Sequence, residues 1–143
     1  MITIGIRCST TEIRFAIIDT DKMIMLNTYE HRIKMAKNLE NSDLFQWVYR
    51  EIDEIIKNNK TIQKAFICEN SYTKDSKSLR LSNRLDAIIS LALKDNGIPS
   101  EMKCLQYKEV DIMSMAEKKI GKTDSNWNKL IACCIVIALR GAQ

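Results

Sequence analysis

Four cations and one aromatic ring in the middle of the chain have the spacing of a polyanion contact. Lys77, Arg80 and Arg84 recur at intervals of three and four, so a helix would line them along one flank, with Lys74 just ahead and Tyr72 close by. Lysine and arginine in such a strip contact phosphates whatever the base sequence, and a tyrosine can stack on a base or ribose. The same residues would also serve only to keep an exposed helix flank in water, since Asp75 and Asp86 dilute the charge. Both uses stay open. A formal charge of +4 on 143 residues is compatible with DNA or RNA as a partner without requiring either.

Nucleophilic and metal chemistry have less to work with. The chain has five Cys and one His, with no Cys-x-x-Cys pair and no Cys/His set spaced for structural zinc. Cys133 and Cys134 are adjacent in an apolar run and read as small packing residues, and reduced thiols in a cytoplasmic protein are expected. Cys8 can be pictured as a nucleophile with Arg7 lowering its pKa. That role needs a base, and the lone His31 falls in a polar stretch beyond the third strand, where a histidine without chemistry is expected. No Ser-His-Asp arrangement can be assembled. The start Met1-Ile2-Thr3 has no basic n-region, so no signal peptide is expected. The longest apolar stretch, Leu130 to Leu139, is about half of a membrane span and reads as a buried helix, so no membrane partner is expected.

The elements that must position these groups follow from periodicity. Segments 2–8, 12–18 and 22–29 are rich in Ile, Phe, Thr and Tyr and are joined by short polar links, which predicts a three-stranded meander. Asn41-Ser42-Asp43 offers N-cap chemistry for a helix ending near Asn58-Asn59. Lys64 to Glu69 is a short, nearly continuous apolar strand of the kind buried on both faces. A long helix follows from about Asp75 to Asn96 with Gly97 as its C-cap, then a strand from Met102 to Tyr107. Glu109 to Ile120 reads as a short helix or hinge, and a final helix starts after Thr123-Asp124-Ser125. The order βββαβαβα predicts one α/β domain over 1–143, a five-stranded mixed sheet flanked by helices.

Three segments in that order resemble the ribonuclease-H-like superfamily, in its RuvC-like resolvase branch. Gly5-Ile6-Arg7-Cys8-Ser9-Thr10 with Phe15-Ala16-Ile17-Ile18-Asp19 is similar to the family's Gly-Ile-Asp-x-Gly opening and the strand after it. Phe66-Ile67-Cys68-Glu69-Asn70 is similar to the segment supplying the catalytic glutamate. The start of the last helix, Asp124 to Asn128, falls where the family carries its last carboxylates. The opening also resembles, more distantly, the phosphate-binding domains of actin and sugar kinases. Those enclose nucleotide with a second domain that this chain lacks, so nucleotide binding is not expected.

The resemblance implies two-metal phosphodiester hydrolysis, and the residues depart from it. Glu69 matches, Asp124 falls a turn early, Asn128 is an amide, and Arg7 stands in place of the defining aspartate. A guanidinium about 5 Å from a divalent ion costs about 6–7 kcal/mol at an effective dielectric near 20. The expected replacement is an internal ion pair between Arg7 and Glu69, which leaves a vestigial site without cofactor. The resulting expectation is a catalytically inactive, dimeric module that binds nucleic acid or a nucleoprotein partner through Arg7, Tyr72, Lys74, Lys77, Arg80 and Arg84. Two alternatives stay open. One is a divergent Mg²⁺ nuclease that rebuilds its site from Glu69, Asp124 and Asp19 or Asp21. The other is a protein-interaction or self-association domain.

Overall fold

Isoleucine-rich alternation at the start of the chain sets the sheet. In a computed structural model, which describes residues 1–69, 77–121 and 129–142, β1 (Ile2–Cys8) and β2 (Glu12–Asp19) form an antiparallel hairpin. Its register runs from Ile2 opposite Asp19 to Cys8 opposite Ile13. Ser9 closes the turn. Its Oγ accepts from the amides of Thr11 and Glu12, and its own N–H donates to the Glu12 carbonyl.

Only part of the third strand expected over 22–29 forms, and a second short strand follows beyond it on the same edge. β3 (Ile24–Met25) pairs with Ile18 and Asp19, whereas β4 (Arg32–Lys34) pairs with Glu12 to Arg14 on the same edge of β2. The cause is the side chain of Asn27. Its Oδ1 accepts from the Ile17 amide at 2.7 Å, and its Nδ2 donates to the carbonyls of Phe15 at 3.0 Å and Glu30 at 3.1 Å. A side-chain amide thus takes the ladder positions of the backbone, and the intervening residues loop out.

β5 (Lys64–Cys68) runs parallel to β1, and β6 (Ser100–Lys103) runs parallel to β5. The order is β3-β2-β1-β5-β6, with β4 sharing the β3 edge. β6 starts and stops earlier than the 102–107 segment expected from sequence. Its register pairs Lys103 with Cys68, the last residue of β5, so no partner remains to extend it. The architecture is the mixed α/β sheet expected, with one more strand because this edge breaks between β3 and β4.

Alternation divides the core. Ile4, Ile6, Cys8, Ile13, Phe15, Ala65 and Ile67 face α1 (Asn41–Asn58) and α2 (Lys77–Asp95). Ala16, Ile18, Phe66 and Cys68 face α3 (Glu109–Lys119) and α4 (Lys129–Ala138), which continues into a 3₁₀ turn. The Asn41-Ser42-Asp43 cap is not used as such. Glu40 takes the N-cap position of α1 without a side-chain bond, and helix stability there comes from burying Leu44, Val48, Ile52 and Ile56. At the other end of α2, Gly97 takes the left-handed φ of 72° expected of it.

α4 is buried along every residue from Ile131 to Ala138 and rides directly on β1. At their crossing stands Gly5, where a Cβ would lie 2.0 Å from the Cys134 carbonyl oxygen. Thr3 Oγ1 donates to the Ala138 carbonyl at 2.8 Å, and the Cys134 thiol donates to the Arg14 carbonyl at 3.2 Å. These contacts fix the helix in rotation and height over the carboxyl end of β1. Among the described residues, no helix is long and apolar enough to cross a membrane.

Candidate functional site

The parallel strands β1 and β5 end side by side, and continuing their register past Ile6 opposite Ile67 sets Arg7 beside Cys68 at the first step and Cys8 beside Glu69 at the second. Side chains alternate, so these two pairs belong to opposite faces of the sheet. Arg7 lies on the α4 side. Its Nη1 donates to Cys133 Sγ at 3.2 Å and to Cys68 Sγ at 3.6 Å. Both sulfurs thus lie within 3.6 Å of one guanidinium nitrogen.

This arrangement corrects the expected partner of Arg7. Guanidinium and carboxylate start from opposite faces, and what the register offers Arg7 is sulfur. The hydrogen bond from Cys68, then the charge of Arg7 and of Lys129, outweigh burial and bring the Cys133 thiol down to about 6. Cys68 moves the other way, pushed well above the ordinary thiol range by the same hydrogen bond and by burial. Burial works against the charge of Arg7, but the negative Cys133 and then Cys68 more than offset it, and its pKa is raised. Cys68 and Cys133, the second of them read from sequence as a packing residue, therefore hold the arginine.

The opposite face holds a carboxyl that the sequence reading placed on the surface. Asp86 is 3% exposed, and among the described residues neither of its oxygens has a hydrogen-bond donor. Burial first, then the charge of Glu69, push it up to about 7, with Arg7 opposing. It shares the inward stripe of Ser82, Leu85, Ile89 and Leu93, and that helical spacing was the available signal. Its neighbour Cys8 is fully buried, and burial together with Asp86 raises its thiol far above the ordinary range. Burial thus holds Cys8 in its thiol form, and the thiol beside the Arg7 guanidinium is Cys133.

Lys77, Arg80 and Arg84 are exposed and lie along one flank of α2 as their spacing predicts. With Asp86 turned inward, it does not dilute their charge. Arg7 stands apart from them, partly exposed, on the α4 side of the sheet. Tyr72, Lys74, Asp124 and Asn128 lie outside the described residues. Asp19 and Asp21 are at the wrong end. Asp19 pairs with Ile2 and Asp21 accepts from the amino terminus at 2.6 Å, about 20 Å from Arg7 along β1.

The described residues at the carboxyl end of β1 do not by themselves make a site for a pair of divalent cations. Among those described, no group of three or more His, Cys, Asp or Glu side chains could hold a metal ion. The carboxyls of Glu69 and Asp86 instead share the field of a fixed guanidinium.

A second arginine sits opposite Arg7 in the β1–β2 register. Arg14, almost fully buried, forms an ion pair with Glu12, its Nε 3.2 Å from Oε2, and its Nη1 donates to Nδ1 of the buried His31 at 2.8 Å. Arg32 reaches the same Glu12 oxygen at 2.6 Å. His31 is accordingly a buried member of the network around Arg14, not the residue of a polar surface stretch.

No protein-family model matches the sequence, and no curated protein matches it. Solved structures do. RuvC of T. thermophilus in complex with a Holliday junction substrate superposes with a TM-score of 0.82 at 13% identity, covering 99% of this chain and 92% of that one. A second Thermus thermophilus RuvC structure gives 0.80 at 11% identity, covering 99% and 93%. At these identities the likeness is one of fold, and the fold is ribonuclease-H-like in its RuvC form.

Proposed function

We propose that this chain, a ribonuclease-H-like fold of the RuvC form, is a module that binds nucleic acid without cutting it. The observation that carries the reading is Arg7. Its guanidinium, anchored by Cys133 and Cys68, stands where the family resemblance places the first metal-binding aspartate. A positive group fixed there repels divalent cations and attracts phosphate.

Lys77, Arg80 and Arg84 support the same reading, because they form an exposed cationic strip from which Asp86 has been withdrawn. Contacts from such a strip are to phosphate, so recognition follows backbone shape and charge rather than base sequence. The structural neighbour is bound to a Holliday junction. A four-way junction is accordingly the first ligand to offer, with the chain acting as a dimer or within a nucleoprotein assembly.

The test is a gel shift and cleavage assay on four-way, duplex and single-stranded DNA and on RNA, with and without Mg²⁺ or Mn²⁺. Binding without cutting is expected, indifferent to metal and falling with salt at a log–log slope of about −3 for three neutralised phosphates. Arg80→Glu together with Arg84→Glu should abolish it. Metal-dependent cutting that disappears in Glu69→Gln or Asp86→Asn would overturn inactivity. Failure to bind any of these nucleic acids would overturn the binding role and favour a protein partner.

A further inference from the structure

The two sulfurs that hold Arg7 have a chemistry of their own, independent of any nucleic acid. Cys68 ends β5 and Cys133 lies in the second turn of α4, so the thiols join two elements from opposite halves of the chain. Both lie against the same guanidinium nitrogen, Cys68 Sγ at 3.6 Å and Cys133 Sγ at 3.2 Å, which makes the sulfurs neighbours. A disulfide needs them to close to about 2.05 Å. Cys8 and Cys134 are separated from this chemistry: Cys8 faces α2 across the sheet, and the Cys134 thiol is spent on the Arg14 carbonyl.

We propose that Cys68 and Cys133 are a reversible thiol–disulfide pair oxidised directly by hydrogen peroxide. Burial limits the oxidant. Both cysteines are 0% exposed, so bulky disulfides are shut out and a small uncharged reagent, entering on local opening of the fold, is what can reach them. Arg7 and the Cys68 thiol supply what a reactive cysteine needs, a neighbouring cation and a hydrogen bond that favour the thiolate.

The steps balance. The Cys133 thiolate attacks one peroxide oxygen, the O–O bond breaks, and hydroxide leaves to take up a proton as water. Cys133 is now a sulfenic acid. Cys68 then attacks the Cys133 sulfur, its thiol proton passing to the departing hydroxyl, and a second water leaves as the S–S bond forms. Two thiols and one peroxide give one disulfide and two waters. The product ties the end of β5 to α4 and removes the anion that faces Arg7.

The experiment uses the full chain, exposed to graded hydrogen peroxide, then unfolded, alkylated and mapped by peptide mass without reduction. The expected result is the loss of two hydrogens, a Cys68 peptide linked to the Cys133 peptide, and restoration by dithiothreitol. Cys134→Ser should leave the link intact and so separate the adjacent cysteines. In Cys68→Ser, dimedone should trap the Cys133 sulfenic acid. Arg7→Met should slow the oxidation about tenfold, through loss of thiolate at neutral pH. A link between other cysteines would overturn the pair. So would five thiols that all remain alkylatable at peroxide levels that oxidise free cysteine.

Discussion

Arg7 and Arg14 face each other across the first hairpin, on the same side of the sheet, and they are neutralised in different ways. Arg14 has a carboxylate two residues away on its own strand, shared with Arg32 and backed by His31. That carboxylate neither oxidises nor leaves with a helix. Arg7 depends on a thiol delivered by a helix from the far end of the chain. Its partner is one that titrates, oxidises and leaves if the helix shifts. A buried cation and a partly exposed one at adjacent positions therefore make a permanent pair and a conditional one, and the conditional one stands at the carboxyl end of β1.

Breaking the permanent pair should cost most. Glu12→Gln leaves the buried Arg14 without its anion and is expected to lower stability by about 3–5 kcal/mol in urea unfolding. Gly5→Ala should come next, because the new methyl meets a helix carbonyl rather than a side chain that can turn aside. A loss of about 2–3 kcal/mol is expected, together with a rise in the Cys133 pKa as α4 is displaced, while the Arg14–Glu12 pair is untouched. Thiolate absorbance against pH separates the two effects.

pH sharpens the contrast further. Asp86 is raised to about 7 when folded, so the unfolded chain releases its proton first as pH climbs from about 4. Stability should then fall between about pH 4 and 7, by on the order of 3 kcal/mol, and Asp86→Asn should remove that fall in thermal melts. Cys133 has the opposite sign. Its folded value of about 6 lies below its unfolded one, so its contribution grows from about pH 6 to 9 and is lost on acidification. Cys133→Ser should flatten that limb and leave the acid limb unchanged. The smallest effect is expected from Arg7→Met under reducing conditions, since cation and partner charge disappear together; stability should change by about 1 kcal/mol or less.

The sheet order, helix order and buried final helix were legible because period and turn chemistry repeat over many residues. The break between β3 and β4 was not, since it hangs on three hydrogen bonds from Asn27 whose acceptors and donor come from folded neighbours. At the site, the place of Arg7 could be read and its partner could not. Which face a residue takes at the frayed end of a strand depends on register, and sequence spacing does not encode the register between β1 and β5. Asp86 was missed for the opposite reason. Its position in the apolar stripe was visible, but an aspartate there was read by its chemistry instead of its spacing.

The break between β3 and β4 also bears on how copies of the chain behave in a crowded solution. An unbroken edge of eight residues would offer a neighbouring molecule a ready template for intermolecular β-pairing. The edge present is a two-residue piece and a three-residue piece, the second carrying Arg32 and Lys34. Neither is long enough to hold a foreign strand, and charge discourages the attempt. One asparagine side chain thereby guards this sheet against aggregation.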